Sequence, residues 1–272
     1  MAEDGGRLAR AVAQHARTAL LMGAEAVPCY RVDRAASEVE AKPEGAWRAE
    51  AVEAKIDAGG TTVGAVEVVG RRASAERLLE AIRARYEREA PHKAFVTGHT
   101  RIVFGEGDPC ARLMFVGEAP GEEEDKTGRP FVGRAGQLLD KMIAAMGVKR
   151  EDVYIANVLK TRPPNNATPT SEEAALCAPY LYDQIEAVSP EVIVTLGLPA
   201  SRTLLGVQES MARLRGRWWA FRDPRRAGGR EVAVMPTYHP AFLLRQYTTE
   251  NRAKVWSDLR MVVERLSGAG AA

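Results

Sequence analysis

Residues 116–142 read VGEAPGEEEDKTGRPFVGRAGQLLDKM and hold six carboxylates, five glycines, two prolines and one aromatic, Phe131. The apolar run Leu113–Val116 leads into them. From Ala135 the apolar residues recur at helical spacing as far as Met146, where Gly147 closes the pattern. The stretch is a strand-to-helix junction. Gly117 and Gly121 let the backbone turn sharply and come close to a ligand, and Pro120 stiffens that turn. An aromatic behind a proline in a glycine-flanked loop, as Phe131 is in GRPFVG, either projects into a cleft as a stacking platform or plugs the helix against the sheet. An acidic loop of this kind is either solvated surface or the wall of a reaction site, and the junction alone leaves both pairs of readings open.

The alternation continues downstream. Short β-rich runs at Val153–Val158, Val192–Leu196 and Val232–Met235 predict strands, and helical spacing covers Glu172–Ala187 and Glu250–Leu266. The helix at 172 opens with TSEE, in which Thr170 and Glu173 fit a capping box. Strands alternating with helices predict a parallel sheet covered on both faces. In such sheets ligands bind beyond the carboxyl ends of the strands. Three unusual segments, GEAPGEEED, NVLKTRPPNN and TYHPAFLLR, follow strand ends. Asn157, in the second, carries a donor and an acceptor suited to the imide-like edge of a base, though a strand-end asparagine also ties down loops. His239, in the third, is placed to donate to a developing negative charge. The PAFLLR that follows is an apolar wedge with a cation behind it, or a helix start whose apolar residues pack inward.

Composition narrows the class without naming it. The chain has 272 residues, 46% apolar and 27% charged, with a net charge of +2. These are the proportions of a globular protein. No apolar run is long enough for a membrane span, and the N-terminus lacks the compact apolar core of a signal peptide, so a cytoplasmic location is expected. Between Arg213 and Arg230, seven arginines face Asp223 alone, with Trp218, Trp219 and Phe221 interleaved. That composition suits phosphate and base contact, or a hairpin whose aromatics cover the core. Cys29, Cys110 and Cys177 are widely spaced, which supports neither disulfides nor a zinc site. Residues 1–88 differ from the rest: helical patterns at Arg7–Met22 and Ser74–Glu89 flank an Ala/Glu/Gly-rich stretch read as linker or disordered sequence. They are expected to form an accessory region.

The stretches VFGEGDPCARLMFVGEAPGEEEDKTGRPFVGRAGQLL, VYIANVLKTRPPNNATPTSEEAALCAPYL and TYHPAFLLR, in this order and spacing, closely resemble the family 4 uracil-DNA glycosylases over residues 100–265. The resemblance implies a three-layer α/β/α sandwich around a mainly parallel four-stranded sheet, with a glycosylase domain at 89–272 behind the N-terminal extension. It implies hydrolysis of the N-glycosidic bond of deoxyuridine in DNA, leaving an abasic site. By position, Gly117, Glu118 and Ala119 would line the pocket floor, Phe131 would stack on the flipped uracil, and Asn157 would pair with its polar edge. His239 would stabilise the uracil O2, and either Glu124 or Asp125 would face the sugar and orient the water. Pro240, Ala241, Phe242, Leu243 and Arg245 would hold the DNA open, with Arg217 of the basic stretch beside them. Two other readings remain: a catalytically weak module that senses flipped or damaged bases and recruits a protein partner through residues 1–88, and a glycosylase for another deaminated base such as hypoxanthine.

Members of that family carry a [4Fe–4S] cluster on four cysteines. The matching positions here are Ala90, Lys93, Thr161 and Cys177, so only Cys177 of the four ligands is retained. Such clusters need thiolates, usually four. The expectation is a protein without the cluster and without any other metal.

Overall fold

The structure, a computed structural model, describes residues 63–95 and 98–268. The helix expected at Arg7–Met22 and the stretch read as linker lie outside the described residues.

A six-stranded sheet forms the centre, in the order β1-β3-β2-β4-β6-β5. Its inner four strands, β3 (Tyr154–Asn157), β2 (Leu113–Gly117), β4 (Val192–Leu196) and β6 (Val232–Thr237), run parallel. These are the four strands expected from the apolar runs. The other two are short antiparallel edges, β1 (Glu106–Gly107) and β5 (Trp219–Phe221), the latter preceded by the one-turn helix α6 (Met211–Leu214). At two and three residues they are too short to show a periodicity, which is why the sequence reading omitted them.

Every residue of β2 and β4 is buried, as expected for strands covered on both faces. Alternation sorts their side chains. Leu113 and Phe115 enter the core shared with α3 (Arg134–Ala145) and α8 (Thr249–Leu266). Met114 and Val116 enter the core shared with α4 (Ser171–Val188) and α5 (Leu198–Leu205). This is the three-layer sandwich. The capping box of α4 forms as its sequence predicts: Glu173 N donates to Thr170 Oγ1 (3.2 Å) and Thr170 N to Glu173 Oε2 (2.7 Å).

Helix α1 (Val63–Glu89) begins before the helix expected from Ser74, and it moves the domain boundary. Ala75, Leu79, Ile82 and Tyr86 make one stripe at helical spacing among arginines and glutamates. Ile82 and Tyr86 join the core on the α4 side, and Glu89 accepts a hydrogen bond from Tyr180 (2.5 Å). The packed body therefore starts near Ala75 rather than at residue 89. A sparse stripe inside a charged sequence is a weak signal, and tertiary contact decides it.

Candidate active site

The carboxyl ends of all four parallel strands open on one cavity of about 580 Å³. Glu118 to Gly121 line it from β2, Asn157 from β3, Gly197 to Pro199 from β4, and Tyr238 and His239 from β6. Position at this end of a parallel sheet is the general rule for ligand sites.

Gly117 and Asn157 stand opposite one another in the β2–β3 register. A Cβ on Gly117 would fall 2.3 Å from Asn157 Oδ1 and 2.5 Å from Phe131 Cζ. Glycine is needed here for space, because two site side chains converge on its Cα. Asn157 is 1% exposed, and its Oδ1 is buried with no hydrogen-bond partner among the described residues. A buried polar atom without a partner is destabilising, and in a ligand cavity it marks an unfilled recognition position.

Phe131 is 5% exposed and belongs both to the cavity wall and to the core. The two readings of this aromatic are thus compatible. Its φ of 51° lies in the left-handed region, which is strained for a bulky residue. The surroundings hold it there. Arg150 donates to Phe131 O (3.2 Å) and Pro130 O (2.6 Å), while Glu124 Oε1 accepts from Val132 N and Gly133 N, both at 2.8 Å. Gly136 leaves room below, since a Cβ there would lie 1.9 Å from Phe131 O.

His239 caps helix α7 (Pro240–Arg245), its Nδ1 accepting from Ala241 N at 3.0 Å. That bond places the imidazole proton on Nε2. Burial, helped by the Arg245 charge, lowers the pKa to about 4, so the ring is neutral at physiological pH. Its centroid lies 5.6 Å from that of Phe131. Gly197, at φ 90°, makes room, since a Cβ there would stand 3.0 Å from His239 Cβ.

The carboxylates divide differently from the sequence reading. Asp125 is buried, and its Oδ1 accepts from Thr100 N (2.8 Å) and Arg101 N (3.1 Å). It lies outside the cavity lining, so its assignment to the water is corrected. The cause is a helix that the sequence reading treated as loop: α2 (Glu122–Thr127) turns successive side chains by about 100°, which sends Asp125 inward and away. Glu124 lines the cavity, but Gly121 N (3.1 Å), Val132 N and Gly133 N occupy both of its oxygens. It braces the Phe131 loop. Glu122 and Glu123 are solvated and pair with Lys126. Glu118 is the half-buried carboxylate of the floor; burial pushes its pKa up, with the Thr168 hydroxyl opposing.

Ala241, Phe242 and Arg245 line the cavity rim from α7. Leu243 does not face outward: it is fully buried in the core, and Pro240 is buried too. The outward residues are Leu244 and Tyr247, 36% and 52% exposed, which sequence reasoning missed. A six-residue helix has no stripe long enough to set its register from sequence.

The basic stretch is mostly neutralised. Arg213, Arg215, Arg222, Arg225 and Arg226 pair with carboxylates, and Arg230 bonds Ser189 and the Pro190 carbonyl. Trp218 and Trp219 cover the two cores, so the hairpin reading of these aromatics describes them. Arg217 is exposed over the Trp219 ring at 4.3 Å, outside the cavity lining.

Where the family's cluster would sit, the residues do not fit one. Cys177 is the one thiol at the four matching positions, and burial raises its pKa to about 11, which disfavours a thiolate. The Tyr86 phenol, fully buried, lies against Thr161 and Cys177 and stacks on His92 (5.4 Å). No group of three or more histidine, cysteine or acidic residues able to hold a metal occurs among the described residues.

The family model for the uracil DNA glycosylase superfamily matches residues 104–260, and the chain belongs to that superfamily. Within it, the chain is 49% identical over 164 residues to the type-4 uracil-DNA glycosylase of Thermotoga maritima, covering 59% of this chain and 80% of that one. It is 43% identical over 169 residues to the type-4 enzyme of Archaeoglobus fulgidus (61% and 82% covered). It is 31% identical over 190 residues to the type-5 enzyme of Thermus thermophilus (62% and 81%). No helix among the described residues is long and apolar enough to cross a membrane.

Proposed function

We propose that this chain removes uracil from DNA by hydrolysing the N-glycosidic bond of deoxyuridine, leaving an abasic site. The observation that carries the reading is Asn157: a buried amide with an unpartnered oxygen, across one cavity from an aromatic ring and a neutral imidazole. A uracil flipped out of the stack would fill that cavity and present its N3–H to Asn157 Oδ1. Cytosine, with an acceptor at N3, would leave the amide unpaired, and a buried mismatch of this kind discriminates strongly.

As the bond breaks, charge grows on the uracil O2, and His239 Nε2–H is the donor for it. A neutral donor suits the role because no proton need be transferred. Glu118 takes the water-orienting role in place of the two acidic residues named from sequence. Backbone amides occupy both oxygens of Glu124 and donate twice to Asp125 Oδ1, whereas Glu118 faces the cavity floor. Half-buried at the cavity floor, its carboxylate would oppose the developing charge of the sugar cation. Arg245 at the cavity rim and the exposed Leu244 beside it on α7 would face the DNA.

The protein carries out this chemistry without an iron–sulfur cluster, the Tyr86 side chain filling that region instead. Purified protein is expected to be colourless and iron-free. It is expected to release uracil from a labelled oligonucleotide in EDTA, with His239→Ala and Asn157→Ala each reducing kcat/KM by about 100- to 1000-fold. Absence of abasic product at stoichiometric enzyme would defeat the reading, and a brown, iron-bearing protein would defeat the cluster-free part of it.

A further inference from the structure

Among the described residues one lysine is fully buried, and it lies three residues beyond Asn157. Lys160 Nζ donates to the Asn157 main-chain carbonyl (2.6 Å) and to Gln184 Oε1 (2.5 Å). Gln184, also fully buried on α4, donates in turn to Phe104 O (2.9 Å) and Tyr154 Oη (3.3 Å). Lys160 does not line the cavity.

The sheet explains why the asparagine needs such a partner. On its inner side the turn after β3 stays paired, with Val158 N donating to Gly117 O and Leu159 N to Glu118 O, each at 3.0 Å. On its outer side β1 pairs only with Tyr154 and Ile155 and stops there. The Asn157 carbonyl lies past the end of that edge strand, and the lysine supplies the donor that a strand would have given.

Stability alone is a poor reason to place an ammonium here. Burial pulls its pKa down to about 7. Taking an ammonium out of water is expensive even where hydrogen bonds replace part of its hydration. We propose that Lys160 is a positioning residue for base recognition: it grips the Asn157 carbonyl, ties it through Gln184 to α4, and so sets the angle at which the Asn157 amide meets the base. The inference rests on the uracil reading of the cavity.

A double-mutant cycle tests it. Wild type, Lys160→Met, Asn157→Ala and the double variant are compared for kcat/KM on a uracil oligonucleotide, with thermal melts of each. Lys160→Met is expected to lose about 10- to 100-fold, the scale of a small misplacement of a contact group, and to melt cooperatively at a lower midpoint because the Asn157 carbonyl and Gln184 Oε1 lose their donor. In the Asn157→Ala background, where no amide is left to orient, the further loss should be under about twofold. Losses that multiply in the double variant would overturn the proposal, as would unchanged activity in Lys160→Met. If Lys160→Met does not fold, Gln184→Leu frees the other end of the same link, and its cycle with Asn157→Ala must show the same coupling. A wild type that releases no uracil overturns the functional reading and this inference together; an active wild type with an uncoupled cycle overturns this inference alone.

Discussion

At the scale of single residues, the site depends on groups held in states they would not choose in water. Phe131 sits in left-handed backbone, Asn157 buries an oxygen with no partner among the described residues, and His239 stays neutral far below its ordinary pKa. Each arrangement is unfavourable in isolation and is maintained by neighbours that the rest of the fold fixes. Glu118 is the residue with a visible consequence for pH. Burial raises its pKa, so it takes up a proton at a pH where an exposed carboxylate is still ionised. A protonated Glu118 cannot orient water as a base, so kcat/KM should fall as pH drops through that raised value. His239, neutral down to about pH 4, contributes nothing to the limb above that value. Glu118→Gln is expected to lower kcat/KM by about 100-fold and to remove the limb from a pH–rate profile. A limb that survives the substitution would place the titration elsewhere.

At the scale of elements, short helices decide what each strand end presents. Helix α2 aims Glu124 at the Phe131 loop and Asp125 at the backbone of Thr100 and Arg101. Adjacent acids so acquire unrelated roles. Helix α7 divides its two leucines in the same way, Leu243 inward and Leu244 outward to solvent. The exposed one is the candidate wedge under the proposed function. Leu244→Ala should leave stability within about 0.5 kcal/mol, as surface truncations usually do. Excision from duplex DNA should slow about tenfold or more, because holding a step unstacked is worth a few kcal/mol. Single-stranded substrate has no stack to hold open and should be cleaved at an unchanged rate. Equal slowing on both substrates, in a gel-based excision assay, would remove the wedge role.

At the scale of the whole molecule, α1 and the loop near Thr161 meet through packing where the family resemblance would put four thiolates. Tyr86 carries that contact: fully buried, edge-on to Tyr180 (4.9 Å) and stacked on His92. Tyr86→Ala should destabilise the protein by about 3 kcal/mol or more, the usual range for deleting a buried aromatic. Cys177→Ala, which removes one small buried group, should lose about 1 kcal/mol and no activity. Denaturant melts of the two variants check the contrast. If Cys177→Ala proved the more damaging, the region would be organised around the thiol instead of the ring.

How much of this was legible depended on the range of the interaction involved. The four parallel strands, the α3, α4 and α8 helices, the Thr170–Glu173 cap and the positions of Asn157 and His239 at strand ends follow from local periodicity and spacing, which a sequence states directly. The family resemblance places one cysteine, Cys177, at the four ligand positions, and the expectation of no cluster rests on that. The direction of Asp125, the burial of Leu243, the reach of Lys160 to the Asn157 carbonyl and the docking of α1 were settled by tertiary structure alone. A two-residue edge strand, a six-residue helix or a single buried lysine has too few residues to carry a pattern. Their conformations are set by which neighbours, distant in sequence, satisfy their polar groups and cover their apolar ones.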